Sequence, residues 1–186
     1  MADAARPDLP VGREALVEYA LARHGAAVYR FALHQLRSPA AAEEVAQDVF
    51  VALFADGGSF DDDHHLRCWL MKVTARRCKN RRRARARRPE DTTDPHDLER
   101  AAEGLALAAP APAGPGDAAG DGGAEVLWEH VDALPAPLRE VVYLFYVEEY
   151  ATDEIAAIVG AAPATVRTRL HRARRRLRRM LEGGPR

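Results

Sequence analysis

The chain has 186 residues, enough for one ordinary domain or two small ones, and its 27 Lys and Arg residues nearly balance its 28 Asp and Glu residues. No apolar run approaches the roughly 20 residues that a membrane-spanning helix needs, and the N-terminus lacks the basic and apolar segments of a secretory signal. We therefore expect a cytoplasmic protein that does not insert into a membrane.

The charges are sorted into blocks although their sum is close to zero. Eleven Lys or Arg residues and no carboxylate lie between positions 66 and 89. A second basic block, "TVRTRLHRARRRLRRM" at 165–180, carries eight arginines and no carboxylate. Like charges at helical spacing repel one another, so folding alone does not favour such segments. Two of them indicate two contacts with a polyanion.

The first half of the chain has a helical pattern. Residues 1–12 are predicted to form a disordered tail, and apolar residues follow helical spacing from Arg13. Ser38 and Pro39 predict the start of a second helix, with the serine hydroxyl as its N-cap. The sequence Asp-Gly-Gly at 56–58 predicts its end.

A polar loop through His65 is predicted to precede a long basic helix from Leu66 to Arg88. Cys68 and Cys78 would lie about 15 Å apart on that helix, too far for a disulfide. His64 and Cys68 have ligand spacing, but no second pair accompanies them, so we expect neither a metal nor another cofactor.

Residues 89–124 are rich in Ala, Pro and Gly and are predicted to be a flexible linker. Helical patterns resume at 125 and continue to 182, with a short helix at "DEIAAIVG" and a last helix opened by Pro163. No strand pattern occurs. The predicted fold class is all-α, with two small helical domains at 13–88 and 125–182.

The last helix has an apolar stripe through Val166, Leu170, Ala173, Leu177 and Leu181, which predicts a buried face. With the preceding short helix and a glycine turn, this is a helix-turn-helix pattern, whose second helix enters the major groove of DNA. The residues expected to face DNA are Thr165, Arg167, Thr168, His171, Arg172 and Arg175.

These segments resemble the extracytoplasmic-function (ECF) group of bacterial RNA polymerase sigma factors. The stretch "LPAPLREVVYLFYVEEYATDEIAAIVGAAPATVRTRLHRARRRLRRML" is similar to region 4 of that family. The stretch "AAAEEVAQDVFVALF", followed by "LRCWLMKVTARRCKN", resembles region 2. The two motifs occur in the order of the family, with a linker between them.

The resemblance implies a promoter-specificity subunit and not an enzyme. Its expected partners are core RNA polymerase, through the clamp coiled coil and the flap, promoter DNA and an anti-sigma factor, and the chain is expected to be a monomer. The residues implied for the clamp contact are Glu43, Glu44, Gln47 and Asp48. Those implied for the minus-10 element are Trp69, Lys72, Arg76, Arg77, Lys79, Asn80 and Arg81. The helix-turn-helix residues above match the minus-35 positions, and "EVVYLFY" would support the flap contact.

The sequence departs from the family in two places. The two helix-turn-helix N-caps, usually Ser or Thr, are Ala151 and Ala162, although Thr152 would offer an alternative cap for the first helix. The resemblance also implies that the loop at 56–65 accepts an unstacked base of the minus-10 element. The segment "DDDHH" at 61–65 is unusually acidic for a loop that should approach DNA, so the identity of that base stays open.

Two other classes of protein fit the sequence less well. A helix-turn-helix regulator of duplex DNA would need only the second domain and leaves the basic helix at 66–88 unexplained. A nucleic-acid enzyme would need clustered carboxylates, a phosphate-binding glycine loop or a nucleophile triad, none of which occurs. The acidic and histidine residues at 61–65 are the only metal-like group, and a solvated loop is the favoured interpretation.

Overall fold

The computed structural model describes residues 9–57, 59–87 and 122–182. Within these ranges every regular element is a helix, which confirms the predicted all-α fold class. None of these helices is both long enough and apolar enough to cross a bilayer.

The chain divides into two compact units, Met1–Ala109 and Pro110–Arg186. This agrees with the predicted pair of small helical domains. Most of the predicted disordered tail (residues 1–8) and most of the predicted flexible linker (residues 89–121) lie outside the described residues.

The first unit contains α1 (Arg13–Leu36), α2 (Pro39–Asp56) and α3 (Asp63–Arg87), and each helix packs against the other two. Cys68 and Cys78 are not joined by a disulfide, and Cys78 is buried. The apolar faces of the three helices meet in a core. Its fully buried side chains include Val28, Phe31, Val45, Leu53, Leu66, Leu70 and Met71.

The predicted start and end of α2 are confirmed. Ser38 Oγ accepts a hydrogen bond from the N–H of Ala41 at 3.4 Å. At the other end Gly57 has a left-handed backbone (φ 58°), and its N–H donates to the carbonyl of Leu53 at 3.3 Å. A Cβ at Gly57 would lie 2.6 Å from Nε of Arg13, but that is the flexible end of a long side chain and can move away, so it is the backbone angle that favours glycine here.

The loop before α3 is shorter than predicted. α3 begins at Asp63, whereas the sequence predicted Leu66 as its first residue. Oδ1 of Asp62 accepts a hydrogen bond from the N–H of His65 at 2.7 Å, which is the geometry of an N-cap. The prediction of a loop through His65 was wrong because Asp62 caps the helix and does not extend the loop.

Asp63 ties α3 to α1. Its Oδ1 accepts a hydrogen bond from the Tyr19 hydroxyl at 3.0 Å and lies 2.8 Å from Nε2 of His24. Its Oδ2 accepts from Nε of Arg23 at 3.2 Å. Partial burial by itself would raise the pKa of Asp63, but the hydrogen bonds and charge of its three partners, His24 first, lower that pKa below its usual value.

The second unit contains α4 (Gly122–Asp132), α5 (Ala136–Tyr146), α6 (Thr152–Val159) and α7 (Pro163–Glu182), and α7 packs against the other three. α4 begins at Gly122, inside the stretch predicted to be linker. The side chains that fill the core of this unit include Val131, Leu134, Val141, Leu144, Ile155, Ile158, Val166 and Leu170.

Two sequence predictions in this unit are corrected. The N-cap of α6 is Ala151, which has no capping side chain, and Thr152 is already the first helical residue. The N–H of Ala151 donates instead to the Glu154 carboxylate at 2.7 Å, which satisfies one backbone group of the helix start. On α7 the fully buried stripe ends at Ala173, and Leu181 is 50% exposed, not buried.

Replacing Asp63 with Asn is expected to lower the free energy of unfolding at neutral pH by about 1–3 kcal/mol, because three donors lose a charged acceptor. Since the pKa of Asp63 is lowered in the folded state, its stabilising effect is full above the unfolded pKa of about 3.9 and is lost as the pH falls through the folded pKa. Urea unfolding of both proteins between about pH 6 and pH 2.5 measures the difference. Asp61→Asn is the control, since Asp61 is almost fully exposed; a difference that stays constant to the lowest pH would contradict the role of Asp63.

Candidate nucleic-acid interface

One face of α7 is cationic and open. Val166, Leu170 and Ala173 are buried on the opposite face. Oγ1 of Thr168 donates to the carbonyl of Ala164 at 2.9 Å, so the methyl group and the oxygen lone pairs of that side chain stay available. All six residues predicted to face DNA are exposed: Thr165, Arg167, Thr168, His171, Arg172 and Arg175.

A tight turn orients α7 on α6. Gly160 has a left-handed backbone (φ 64°), and the N–H of Ala161 donates to the carbonyl of Ala156 at 3.0 Å. No atom lies within 4 Å of the position a Cβ would take at Gly160, so the backbone angle alone favours glycine there. The carbonyl of Ala162 then accepts from the N–H of Val166 at 3.1 Å, which starts α7. The predicted helix-turn-helix arrangement is present.

Arg174 holds α7 against α5 from the flank of the open face. Its Nε donates to the Tyr146 hydroxyl at 2.8 Å, and its Cζ lies 5.7 Å from the ring centroids of both Phe145 and Tyr146. The two rings meet edge to face with centroids 4.9 Å apart. A cation–π contact at an exposed site contributes about 0.5–1 kcal/mol. Arg174 therefore serves the packing of the unit, unlike the six residues of the open face.

The residues of α3 predicted to contact the minus-10 element separate into two groups. Lys72, Arg76, Lys79 and Asn80 are exposed. Arg76 follows Lys72 by four residues, and Lys79 and Asn80 follow Arg76 by three and four, so the four side chains form one row along the helix. Across the described part of the chain none of the three cations of this row forms an ion pair. Trp69, at the N-terminal end of the row, is half-buried.

The second group, Arg77 and Arg81, contacts α2. Nη1 of Arg77 lies 2.8 Å from Oδ2 of Asp48, and Arg81 forms an ion pair with Glu44. Two side chains predicted to bind DNA therefore neutralise two carboxylates predicted to bind polymerase. We call these four residues the α2–α3 ion-pair cluster.

An exposed face of α2 carries three of the four residues predicted for the clamp contact. Glu44, Gln47 and Asp48 are exposed, and the same face continues into Val51, 67% exposed, and Phe54, 46% exposed. The spacing of three or four residues places all five on one side of the helix. This side combines negative charge with exposed apolar area, a composition typical of a protein-binding surface.

Glu43, the fourth residue predicted for the clamp contact, lies apart from this face. It is half-buried. Burial raises the pKa of Tyr29 on α1, and the negative charge of Glu43 raises it further, so the carboxylate lies near the phenol. Glu43 belongs to the packing of α1 on α2 more than to the open face.

Three aromatic rings meet at the N-terminal end of α3. The ring of Phe60 lies 5.5 Å from that of His65 and 5.8 Å from that of Trp69, both in edge-to-face geometry. These rings adjoin the exposed row that begins at Lys72. Aromatic rings beside a cationic groove are suited to stack an unpaired base.

Two of the three aspartates in the segment "DDDHH" bind other groups of the protein. Asp62 caps α3 and Asp63 binds three side chains of α1. Asp61 is 94% exposed, and its Oδ2 lies 3.3 Å from Nδ1 of His65. The segment therefore presents less free negative charge to a nucleic acid than its composition indicates.

Sequence reasoning missed the α2–α3 ion-pair cluster although a signal was present. Glu44 and Asp48 are four residues apart, and so are Arg77 and Arg81. Matched rows of opposite charge on two helices predict that the rows face each other. The contacts of Phe60 carried no such signal, because they depend on a loop conformation that no local pattern encodes.

Two sequence families match the chain. Residues 20–88 match the family described as Sigma-70 region 2, and residues 124–177 match Sigma-70, region 4. RNA polymerase sigma factor CarQ of Myxococcus xanthus is 28% identical over 170 residues, which cover 91% of each chain. ECF RNA polymerase sigma factor SigW of Bacillus subtilis is 27% identical over 158 residues, covering 83% of this chain and 82% of the relative.

Two solved structures share the fold. The sigma factor RpoE of Bartonella quintana, in complex with the anti-sigma factor NepR, matches with a TM-score of 0.65 and 22% identity, covering 90% of this chain and 98% of that one. CnrH, in complex with the cytosolic domain of CnrY, matches with a TM-score of 0.61 and 24% identity, covering 94% of this chain and 92% of that one. The two family matches fall one in each helical unit. The chain therefore belongs to the extracytoplasmic-function group of RNA polymerase sigma factors.

Proposed function

We propose that this sigma factor binds core RNA polymerase and directs it to promoters by contacting the minus-10 element through α3 and the minus-35 element through α7. The observation that carries the proposal is a pair of exposed cationic helix faces, one on each compact unit, each opposite a buried apolar face. Two such faces on separate units are suited to grip one DNA molecule at two places.

For the minus-35 element, the open face of α7 lies in the major groove. Arginine donates a bidentate pair of hydrogen bonds to guanine, and such a pair gives about 1–3 kcal/mol of discrimination. We assign base reading to Arg167, Thr168, His171 and Arg172. Thr165 and Arg175 then bind the flanking phosphates, which fix the register of the helix on the duplex.

For the minus-10 element, the exposed row on α3 follows the backbone of the unwound strand. Lys72, Arg76 and Lys79 supply the charge and Asn80 a neutral donor and acceptor. Unstacking a base costs a few kcal/mol, and stacking on aromatic rings offsets about 1–3 kcal/mol per base. The rings of Phe60 and Trp69 are the proposed receptor for that base.

For the polymerase, the exposed face of α2 binds the clamp coiled coil. The carboxylates of this face repel DNA and attract a cationic partner surface, which separates the protein-binding side from the DNA-binding side. The segment predicted for the flap contact is mostly core, since Val141, Val142, Tyr143 and Leu144 are buried. The exposed ring of Tyr146 is the part of α5 that remains for that contact.

Residues 13–88 and 125–182 are the proposed functional domains. The linker of 89–124 between them would extend to about 120 Å, while the two promoter elements lie roughly 70 Å apart along the duplex. The length of the linker is therefore sufficient for simultaneous contact, provided that polymerase holds it extended.

The proposed partners include an anti-sigma factor. Both structural relatives were solved in complex with a second protein, which for RpoE is the anti-sigma factor NepR. We further propose that the chain acts in the cytoplasm as a monomeric specificity subunit of polymerase, without catalytic activity of its own.

In vitro transcription with core polymerase over a library of random promoters tests the whole proposal. The holoenzyme is expected to select one spaced pair of motifs, while core polymerase alone selects none. Binding to a selected duplex is expected to be weak for the sigma factor alone and strong with polymerase. Tight binding to the duplex without polymerase would favour a conventional helix-turn-helix regulator.

Replacing Arg172 with Ala is expected to weaken initiation from promoters carrying the selected minus-35 motif by about 1–3 kcal/mol, because a base contact is lost. The measurement is the ratio of initiation rates on promoters with the intact and the scrambled motif. Arg178→Ala removes another exposed arginine farther along α7 and is the matched control. An unchanged ratio for the Arg172 variant would remove that residue from base reading.

Replacing Val51 and Phe54 together with Ala is expected to weaken binding of core polymerase about tenfold or more, since exposed apolar anchors are lost from the docking face. Titration of labelled protein with core polymerase measures the affinity, and urea unfolding checks that the fold is retained. Leu21→Ala is the control, because Leu21 is a similarly exposed apolar residue on α1. Equal affinity of the double variant and the control would place the docking face elsewhere.

A further inference from the structure

The α2–α3 ion-pair cluster links the two proposed binding surfaces of the first unit. Arg77 pairs with Asp48 at 2.8 Å, and Arg81 pairs with Glu44. The partners are four residues apart on each helix, so the two pairs lie side by side along the contact between α2 and α3. Glu44 and Asp48 also belong to the face of α2 proposed to bind polymerase. Arg77 and Arg81 border the row on α3 proposed to bind nucleic acid.

These ion pairs are too exposed to stabilise the fold strongly. The side chains of Arg77 and Asp48 are 37% and 55% exposed, and those of Arg81 and Glu44 are 41% and 57% exposed. Pairs of this kind are screened by solvent and exchange readily for another partner of the same charge. The core beneath them is already filled by Val45, among other apolar side chains.

Each guanidinium and each carboxylate of the cluster has a competing partner. A phosphate and a carboxylate both bind the in-plane N–H donors of a guanidinium, so a phosphate of nucleic acid competes with Asp48 for the Nη1 donors of Arg77. A cationic polymerase surface likewise competes with the arginine for the carboxylate. Lys72, Arg76 and Lys79 face no such competition from the cluster.

We propose that the cluster makes polymerase docking on α2 and nucleic-acid binding on α3 mutually dependent. In the free chain Asp48 and Glu44 hold Arg77 and Arg81. When the polymerase takes the two carboxylates, the two arginines become nucleic-acid ligands. This inference rests on the proposed function, because it assigns a cationic polymerase surface to α2.

The coupling works in both directions with the same magnitude, because both binding events break the same ion pairs. Each exposed pair accounts for at most about a fivefold change in affinity, and the two pairs together for at most about 25-fold. Arg77 and Arg81 are thus conditional ligands, whereas the exposed row on α3 is available in either state.

Neutral isosteric variants of the carboxylates test the competition without polymerase. The full chain carrying Glu44→Gln and Asp48→Asn is titrated into a fluorescein-labelled oligothymidylate at low salt. We expect binding several-fold tighter than that of the unchanged chain, within the 25-fold limit. We also expect a steeper dependence of affinity on salt, by about 0.7 in the logarithmic slope for each released arginine.

The control separates this competition from a simple change in net charge. Glu14→Gln with Glu18→Gln removes the same charge from exposed positions of α1, outside the cluster. The decisive comparison adds Arg77→Gln and Arg81→Gln to the unchanged chain and to the variant with Glu44→Gln and Asp48→Asn. Without the two arginines, neutralising Glu44 and Asp48 is expected to give no gain in affinity for the oligonucleotide. A gain that persists, a gain equal to that of the control, or no binding by any of the proteins would overturn the proposal.

The same titration in the presence of saturating core polymerase gives an independent result. There the gain in affinity from Glu44→Gln and Asp48→Asn is expected to vanish, since in the unchanged chain polymerase has already displaced the two carboxylates from Arg77 and Arg81. If the chain fails to bind polymerase at all, the proposed function fails. The comparison made without polymerase still decides whether the cluster competes with nucleic acid.

Discussion

The burial of one apolar face on each arginine-rich helix is the interaction on which the rest of this molecule depends. On α7, burying Val166 and Leu170 contributes about 1.5–3 kcal/mol for each side chain, while a like-charge pair one turn apart costs only about 0.2–0.5 kcal/mol. The apolar term therefore exceeds the repulsion, and the helix forms against its neighbours although it would be unstable alone. Once that face is fixed, the remaining arginines are forced outward in rows. The proposed DNA-binding surface is thus a consequence of how the core is packed.

Periodicity and caps were enough to predict the fold class and most helices, because both are local properties of the chain. The start of α2 at Ser38 and the turn at Gly160 are set by capping chemistry that the sequence displays directly. The start of α3 was mispredicted because a run of aspartates has two uses, a solvated loop or a helix cap, and only the surroundings decide between them. Leu181 was mispredicted for a related reason: an apolar spacing continues along α7 beyond the part of the helix that other helices cover.

The candidate site was predictable as a set of residues but not as a set of surfaces. Composition placed Arg76 and Arg77 together in one basic helix, yet the first lies in the exposed row and the second pairs with Asp48. One step along a helix turns the side chain by about 100°, so neighbours in sequence face different partners. Which partner each one meets depends on how α2 and α3 cross, a tertiary property. Asp63 shows the same limit, because its three contacts come from residues of α1 about forty positions away in sequence.

The proposed placement of two modest DNA contacts on separate units has a consequence for selectivity. Neither unit needs to bind its element tightly, because the second contact becomes intramolecular once the first has formed, and the effective concentration set by the tether supplies the remaining affinity. A promoter that offers only one element then loses far more than half of the binding, since affinities multiply. In the proposed coupling, the ion pairs of Asp48 and Glu44 act in the same sense within the first unit, because they weaken the binding of nucleic acid by Arg77 and Arg81 until a protein partner takes the carboxylates. Selectivity of this kind arises because each contact depends on another having formed. The resulting discrimination between promoters is greater than any single contact could give.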